Sequence, residues 1–304
     1  MPVATERSIV VGIDGSQSAK AAAMWAGREA SRRGLSLRLV HVFTMPVVTM
    51  PGVIPASEGI RESFESRGLE WVSEVREAVL AQYPELVIES AVRQWSPVAA
   101  LIQESVRASM VVLGSRGLGG FTGMLVGSIA VALAHHGHCP IVVARGPQAE
   151  GGGPVVVGTD GSSASDAALA FAFDEARLHD TGLTVVRTWS ELLDHGALRP
   201  HFLDVDPVEI EGAERLAVEE QVAPWRDKYP DVPVEVVVRK GRPVRILLES
   251  AEGARLLVVG SRGRGGFEGM LLGSTSQALI AHSECPVAVV RPAVPGGDHI
   301  ITEL

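Results

Sequence analysis

The chain reads GSRGLGGFTGMLVGS from Gly114 to Ser128 and GSRGRGGFEGMLLGS from Gly260 to Ser274. Twelve of the 15 aligned positions are identical, and the second copy begins 146 residues after the first. Each copy follows an apolar run and precedes a helical pattern, which predicts a glycine-rich loop between a buried strand and a helix. Loops of this kind present backbone amides to phosphate groups.

The same offset relates other positions along the chain, for example Asp14 to Asp160. Stacked repeats recur every ~20–50 residues, so a period this long is that of a whole domain. A chain of 304 residues has room for two such domains. The predicted boundaries are residues 1–146 for the first domain, 147–153 for a Gly- and Pro-rich linker, 154–292 for the second domain and 293–304 for a tail.

Strand-like and helix-like patterns alternate within each copy. In the first copy the predicted strands lie at residues 8–13, 35–42, 86–92, 110–113 and 141–144. The predicted helices lie at 17–33, 58–82, 97–107 and 127–135, the second with an apolar stripe of Phe64, Val72, Val75 and Val79, and the Pro-rich segment 44–57 predicts a loop. Such alternation predicts an α/β fold, an open parallel sheet with helices on both faces.

Composition and charge argue against several classes of protein. Hydrophobic residues make up 46% of the chain and charged residues 21%, as in ordinary globular domains. No apolar run reaches the ~18 residues of a membrane span, and the first residues do not resemble a secretory signal. The net charge of −9 resides in the second half, which argues against a nucleic-acid surface. The two cysteines, Cys139 and Cys285, are expected to be buried and reduced, which favours a cytoplasmic protein.

The residue types of the glycine-rich loop suit an anion. Gly114 and Gly117 follow the strand, where glycine permits positive φ and lets a ligand approach the backbone. Gly127 and Ser128 open the next helix, whose first amides have no internal partner and whose dipole favours an anion. The alternative is that these are turn glycines and a serine N-cap. The second copy retains every loop glycine and both serines, which indicates a demand on the loop that turn geometry alone could also impose.

An aspartate, Asp14, ends the first predicted strand. Ligands of open α/β sheets bind beyond the carboxyl ends of the strands, where the strand order reverses. If the first and fourth strands are neighbours, Asp14 and Gly114 face one crevice, where a carboxylate can accept from ribose hydroxyls or bind Mg²⁺. The alternative is that Asp14 or Ser16 only caps the first helix. The loop is not a Walker A loop, because no Gly-Lys-Ser/Thr follows it.

Together these residues resemble the universal stress protein family. The resemblance rests on the Gly-x₂-Gly-x₉-Gly-Ser spacing, the opening Val-Gly-Ile-Asp-Gly-Ser and the Cys-Pro pair before the last strand, and it covers residues 8–291. It implies the tandem type, with two Rossmann-like domains of the adenine nucleotide α-hydrolase-like kind and strand order 3-2-1-4-5 in each. It also implies the subclass that binds ATP, together with Mg²⁺, and an intramolecular pairing of the last strands, Ile141–Ala144 with Val287–Val290.

The resemblance further implies roles for individual residues. The aspartate lies by the nucleoside, the residue closing the second strand contacts the adenine through its backbone, and the loop glycines and serine hold the phosphates. The loop arginine either pairs with phosphate or lies in solvent. The candidates are Ile13, Asp14, Val42, Gly114, Arg116, Gly117, Gly127 and Ser128 in the first copy, and Thr159, Asp160, Thr188, Gly260, Arg262, Gly263, Gly273 and Ser274 in the second.

The second copy departs from the first beside the predicted adenine site. The replacements are Ile13 by Thr159, His41 by Arg187 and Val42 by Thr188. They predict a more polar adenine wall, which leaves open whether the two sites bind equally.

No catalytic set is evident in the sequence. The histidines His135, His136 and His138 before Cys139 are a weak metal pattern, since the second copy keeps only one histidine and the cysteine. No residue is evident that positions a water, and no arginine finger, so any ATP hydrolysis is expected to be slow. Three hypotheses remain: an ATP-binding regulatory protein that acts through loop ordering, a slow Mg-dependent ATP hydrolase, and a stress scaffold that binds no nucleotide. The signalling partner, and whether the chain forms a homodimer, are not determined by the sequence.

Overall fold

A computed structural model describes residues 8–45, 58–117, 127–145, 153–190, 206–263 and 272–292. Each half has five strands and four helices within these residues. The first half contains β1 (Ile9–Ile13), α1 (Gln17–Arg33), β2 (Leu37–Phe43), α2 (Glu58–Gln82), β3 (Ile88–Gln94), α3 (Pro97–Ser105), β4 (Met110–Gly114), α4 (Ser128–His136) and β5 (Ile141–Ala144). The second contains β6 (Val155–Thr159), α5 (Ser163–Leu178), β7 (Leu183–Trp189), α6 (Pro207–Lys228), β8 (Val234–Lys240), α7 (Pro243–Ser250), β9 (Leu256–Gly260), α8 (Ser274–His282) and β10 (Val287–Val290).

The ten strands form one sheet in the order β3-β2-β1-β4-β5-β10-β9-β6-β7-β8. Within each half all neighbouring strands run parallel, with β1 between β2 and β4, and β6 between β7 and β9. Each half therefore has the order 3-2-1-4-5, and the prediction of two open parallel α/β units is confirmed. The order reverses between β1 and β4, so a crevice is expected at their carboxyl ends.

Alternate residues of each strand face opposite layers of helices. In β1, Val11 belongs to a core shared with Trp25 of α1 and Val72 of α2. Its neighbour Val10 belongs to a second core, with Leu101 of α3 and the helix α4. Burial on both faces explains why the central strands are near-continuous runs of Val, Ile and Leu.

Local signals set both ends of α1. Ser16 is the N-cap, and its hydroxyl accepts from the amide of Ala19 at 3.1 Å. Gly34 ends the helix with a φ of 63°, a left-handed conformation that glycine adopts without strain. The amide of Leu35 still bonds to the last helical turn, so β2 begins at Leu37 and not at residue 35.

The two halves are joined by their last strands. Strands β5 and β10 pair antiparallel, with Val142 opposite Ala288 at the centre of the register. These two residues are equivalent positions of the repeat, so the joint follows a local two-fold axis. Because the joint is antiparallel, the carboxyl ends of the strands in the two halves lie at opposite edges of the common sheet.

A second contact between the halves joins α1 to α5 through buried charges. Glu29 and Glu175 are equivalent residues of the repeat, and each is 1% exposed. The Nε2 atom of His179 lies 2.7 Å from a Glu29 oxygen, and Arg33 donates to Glu175. Burial, followed by the charge of Glu29, raises the pKa of Glu175 to about 8. This contact therefore favours a protonated carboxyl near neutral pH.

A few sequence predictions differ from the structure or fall outside it. Along α2, Val72, Val75 and Val79 are buried, but Phe64 is 43% exposed. Phe64 stacks on Phe43, with 6.0 Å between ring centroids, at the last residue of β2, where the sheet no longer covers the helix. Most of the predicted 44–57 loop, the linker up to residue 152 and the tail from 293 lie outside the described residues. Among the helices that the structure describes, none combines the length and apolar character of a membrane span.

Candidate functional site

A cavity of about 310 Å³ opens at the carboxyl ends of β1 and β4 in the first half. Every candidate predicted from the first copy lines it: Ile13, Asp14, Val42, Gly114, Arg116, Gly117, Gly127 and Ser128. The crevice expected at the reversal of strand order is therefore present, and the structure brings the aspartate and the glycine-rich loop together there.

Asp14 and Ser16 build the turn from β1 into α1. The Oδ1 atom of Asp14 accepts from the Ser16 amide at 3.0 Å and from the Ser16 hydroxyl at 2.6 Å. Gly15 lies between them with a φ of 84°, which favours glycine. The serine provides the cap of α1, as one alternative predicted, and Asp14 supports the serine while its other oxygen faces the glycine-rich loop.

Two of the loop glycines lie so close to neighbouring atoms that a side chain there would clash. A Cβ at Gly117 would lie 2.5 Å from Oδ2 of Asp14, and one at Gly114 would lie 2.6 Å from the backbone of Ser18. Neither glycine has a positive φ, so the expectation that they supply left-handed backbone is wrong. The backbone contact accounts for the retention of Gly114 without any ligand, whereas the contact at Gly117 is with the end of the Asp14 side chain.

Gly127 differs from these glycines because none of the described residues crowds it. No described atom lies within 4 Å of its Cβ position. Gly127 is the N-cap of α4 and gives no side-chain hydrogen bond, while Ser128 is the first helical residue and not the N-cap. Helix α4 therefore begins at the cavity without a capping side chain. An anion bound there would accept hydrogen bonds from the backbone amides of the first turn.

The loop carries positive charge beside the cavity. The Arg116 carbonyl accepts from the hydroxyls of Ser16 and Ser18, which holds the loop against α1, and the Arg116 side chain is exposed. Arg145, which the sequence analysis overlooked, follows β5 at the same edge. Burial, followed by the charge of Arg116, lowers the pKa of Arg145. Two neighbouring cations favour an anionic ligand.

The other end of the cavity is apolar. Val40 and Val42 of β2, Leu101 of α3 and Leu113 of β4 line it. Of these residues only Val42 was predicted from the sequence, although Val40 lies two residues earlier in the strand and so faces the same side. Apolar walls with a few polar groups at one end are typical of small-molecule sites.

The second half keeps the geometry of the aspartate and the loop. A Cβ at Gly263 would lie 2.5 Å from Oδ2 of Asp160, the same distance as between the equivalent atoms of the first half. Gly273 is the N-cap of α8 without a side-chain hydrogen bond, and Ser274 begins the helix. The two halves thus present the same arrangement of carboxylate, loop and helix end.

The other candidates of the second copy occupy the equivalent positions. Gly260 ends β9, and a Cβ there would lie 2.8 Å from the backbone of Ala164. Arg262 is exposed, and Thr188 is half-buried near the end of β7. Thr188 lies on the same face of its strand as Val42 does in the first half. It is therefore the replacement that changes the apolar end of the site.

The other two polar replacements face away from that end. His41 faces α2, where its ring meets Trp71 with 5.3 Å between centroids, and Arg187 faces α6, where it pairs with Glu214 at 2.6 Å. Thr159 likewise bonds to a side chain of α6. The prediction that all three replacements make one wall polar is therefore wrong for Arg187, because Arg187 and Thr188 are adjacent residues of a strand and point to opposite faces.

The histidines before Cys139 do not assemble a metal centre among the described residues. Within that part of the chain, three side chains of metal-ligand type come together only at Glu29, Glu175 and His179, in the contact between α1 and α5. Arg33 already donates to Glu175 there, and none of these residues lines the cavity. We therefore interpret the cluster as an ion-pair network.

Comparisons with known proteins agree with the repeat and the fold. The model of the universal stress protein family matches residues 6–145 and 153–291. A universal stress protein of Mycolicibacterium smegmatis is 37% identical over 295 residues, which cover 95% of this chain and 98% of the relative. One of Mycobacterium tuberculosis is 38% identical over 301 residues, which cover 94% and 97%. The crystal structure of a universal stress protein from Archaeoglobus fulgidus matches with a TM-score of 0.70 at 21% identity, over 94% of this chain and 99% of that one. The chain belongs to the universal stress protein family, with two family domains in tandem.

Proposed function

We propose that each domain of this universal stress protein binds one ATP with Mg²⁺, and that the bound state regulates a stress response by ordering the glycine-rich loop. Family membership supports the stress-response role. The observation that carries the nucleotide proposal is the convergence of all eight first-copy candidates on one cavity of about 310 Å³. Its size and its place at a reversal of strand order are typical of small-molecule sites in α/β sheets.

The two ends of the cavity suit the two ends of a nucleotide. The base would lie among Val40, Val42 and Leu101, which offer an apolar wall. The phosphates would lie at the first turn of α4, where Gly127 leaves the backbone open and Arg116 adds positive charge. A carboxylate between these ends, such as that of Asp14, can accept from ribose hydroxyls.

Gly127 adds a second argument for a ligand. The packing of the described residues does not require a glycine there, yet Gly273 repeats it in the second copy. A bound phosphate that approaches the backbone supplies a reason for glycine that the packing of the described residues does not.

The residues fit Mg²⁺ that arrives with the nucleotide. Bound Mg²⁺ neutralises phosphate charge and keeps most of its water ligands. Asp14 is the one carboxylate among the described residues that line the cavity, and its Oδ1 atom is engaged by Ser16. We therefore expect phosphate oxygens and water to hold the ion, and we expect binding in preference to rapid turnover.

The test places a carboxylate at each helix end in turn. Gly127→Glu and Gly273→Glu introduce a side chain where no backbone clash forbids it, and each is expected to abolish binding at its own site. The matched control is Gly212→Glu in α6, where no described atom lies within 4 Å either. Nucleotide released from the purified protein and titration with Mg·ATP should give about two ATP per chain for wild type and control, and about one for each single variant.

Other outcomes assign the protein differently. Full binding by the folded Gly127→Glu and Gly273→Glu variants would show that the loops are not the phosphate sites. No bound nucleotide and no binding of added Mg·ATP by wild type would leave the scaffold hypothesis. Steady release of ADP from Mg·ATP, lost in both variants, would favour the hydrolase.

A further inference from the structure

We propose that Arg145 and Arg291 couple the two phosphate sites, so that a nucleotide bound in one domain strengthens binding in the other. This inference rests on the proposed function and adds the regulation of the same sites. The two arginines are equivalent positions of the repeat, each directly after the last strand of its domain.

Each arginine reaches across the joint to the other domain. Arg145 donates from Nη1 to the carbonyls of Ala281 at 2.8 Å and Ser283 at 3.3 Å, at the end of α8. Arg291 donates from Nη1 to the carbonyl of His135, at the end of α4. His135 and Ala281 are themselves equivalent residues, so the local two-fold axis relates the two contacts. A cation at the last carbonyls of a helix stabilises that end.

Each arginine also lies beside the start of the phosphate loop of its own domain, because the residue before it pairs with the first loop glycine, Ala144 with Gly114 and Val290 with Gly260. Burial comes first among the causes that lower the pKa of Arg145, and the charge of Arg116 comes second. For Arg291 the causes are the same, with Arg262 as the neighbouring charge. In each domain, then, the exposed loop arginine repels the half-buried arginine that holds the opposite helix.

Together these contacts link each phosphate loop to the other through a helix and an arginine. Helix α4 begins at the first phosphate loop and ends on Arg291, which lies beside the second loop. Helix α8 begins at the second phosphate loop and ends on Arg145, which lies beside the first. An α-helix is a rigid rod, so a change at its last turn reaches its first turn as a shift of the whole element.

The sign of the coupling follows from the charges. An anion at the first loop offsets the charge of Arg116 and removes the repulsion on Arg145. Arg145 then holds the end of α8 more strongly, which fixes the open first turn of α8 at the second site. By linkage the second site favours the first equally. Positive cooperativity is therefore expected, about fivefold or more between the two binding steps.

The experiment measures both binding steps with Mg·ATP in the full chain. Wild type should show a second step stronger than the statistical ratio of two independent sites. Arg145→Met with Arg291→Met should bind two ATP with the statistical ratio, while Arg145→Lys with Arg291→Lys should keep part of the cooperativity because lysine also donates to carbonyls. Arg245→Met, which removes an exposed arginine of α7, is the control and should behave as wild type.

Three results would overturn the coupling. One is two ATP bound by wild type in the statistical ratio, and another is cooperativity that persists in the double Met variant. The third is a double Lys variant that is folded and as stable as wild type but non-cooperative. These differ from a failure of the proposed function, in which neither wild type nor any variant binds ATP, and in that case both proposals fall.

Discussion

The two domains fasten their long helix to the sheet by different chemistry at the same position. In the first domain His41 packs on Gly68 of α2, where a Cβ would lie 2.3 Å from the imidazole ring. In the second domain the equivalent residues are Arg187 and Glu214, which form an ion pair at 2.6 Å. The first domain therefore has a histidine packed on a glycine where the second has an arginine paired with a glutamate, so both residues of the contact differ between the domains.

The aspartate and the loop glycine of the same domains show no such divergence. The distance of 2.5 Å between the aspartate oxygen and the Cβ position of the loop glycine is the same at Asp14 and Gly117 as at Asp160 and Gly263. The helix layer tolerates exchange of a matched pair, while the carboxylate and loop keep one geometry.

The largest effect on stability should follow from introducing the glutamate of the second domain at the equivalent glycine of the first. Gly68→Glu places side-chain atoms where the ring of His41 lies, and we expect a loss of about 3 kcal/mol of unfolding free energy from overpacking. Urea unfolding of the full chain, with hydrogen exchange to locate the loss in the first domain, measures it. Gly212→Glu makes the same change where space is free and should be neutral or stabilising by up to about 1 kcal/mol.

A double variant tests whether the residues at positions 41 and 68 depend on each other. Gly68→Glu combined with His41→Arg recreates the second domain's ion pair and should recover at least about 1 kcal/mol of the loss. Additive losses from the two substitutions would contradict the interpretation that these residues differ as a pair.

A smaller loss is expected when the ion pair of the second domain is broken. Arg187→Met leaves Glu214 without its cation, and we expect a loss of about 2 kcal/mol, below the range for fully buried pairs because Glu214 is 28% exposed. Thermal unfolding measures the loss. Arg245→Met breaks an exposed pair on α7 and should change stability by less than about 0.5 kcal/mol. Equal effects of the two substitutions would mean that burial of the Arg187 pair does not increase its contribution to stability.

The same contacts show what the sequence could and could not predict. The pattern of apolar residues predicted every strand of the first domain within a few residues, most clearly the central strands, because buried parallel strands are nearly continuous apolar runs. The strand order came from the family resemblance. The role of His41 was predicted wrongly, although the alternation of Val40, His41 and Val42 already indicates opposite faces. Its contact with Gly68 joins residues in distant segments, and nothing local in the sequence reports it.

A third prediction concerns the equivalent glutamates that meet between the domains. The pKa of Glu175 is raised from 4.5 to about 8 by burial and by Glu29, so the native state retains a proton that the unfolded chain releases. Stability is therefore greatest below about pH 4.5 for this group and is lost as the pH rises through about 8.

Thermal unfolding between pH 5 and pH 8.5 tests this sign. Glu175→Gln should flatten the decline, since the amide cannot titrate. Glu85→Gln, at an exposed position outside the interdomain contact, is the control and should leave the slope unchanged. Stability that rises with pH in wild type, or a slope that Glu175→Gln leaves intact, would show that the carboxyl is ionised in the folded protein.

The smallest effect should come from exchanging the residues that distinguish the two candidate sites. Val42 lines the apolar end of the first site, and Thr188 is its counterpart. Removing a methyl group from the wall weakens contact with a base, whereas a hydroxyl in a largely apolar pocket discriminates little. Val42→Thr should therefore weaken ATP binding at the first site by about threefold, and Thr188→Val should strengthen binding at the second by a similar factor. Each is measured in a chain whose other site carries the loop Gly→Glu change, so that one isotherm reports one site. If the two exchanges leave both affinities unchanged, the wall residue does not contact the base, and any difference between the sites originates in the phosphate loops.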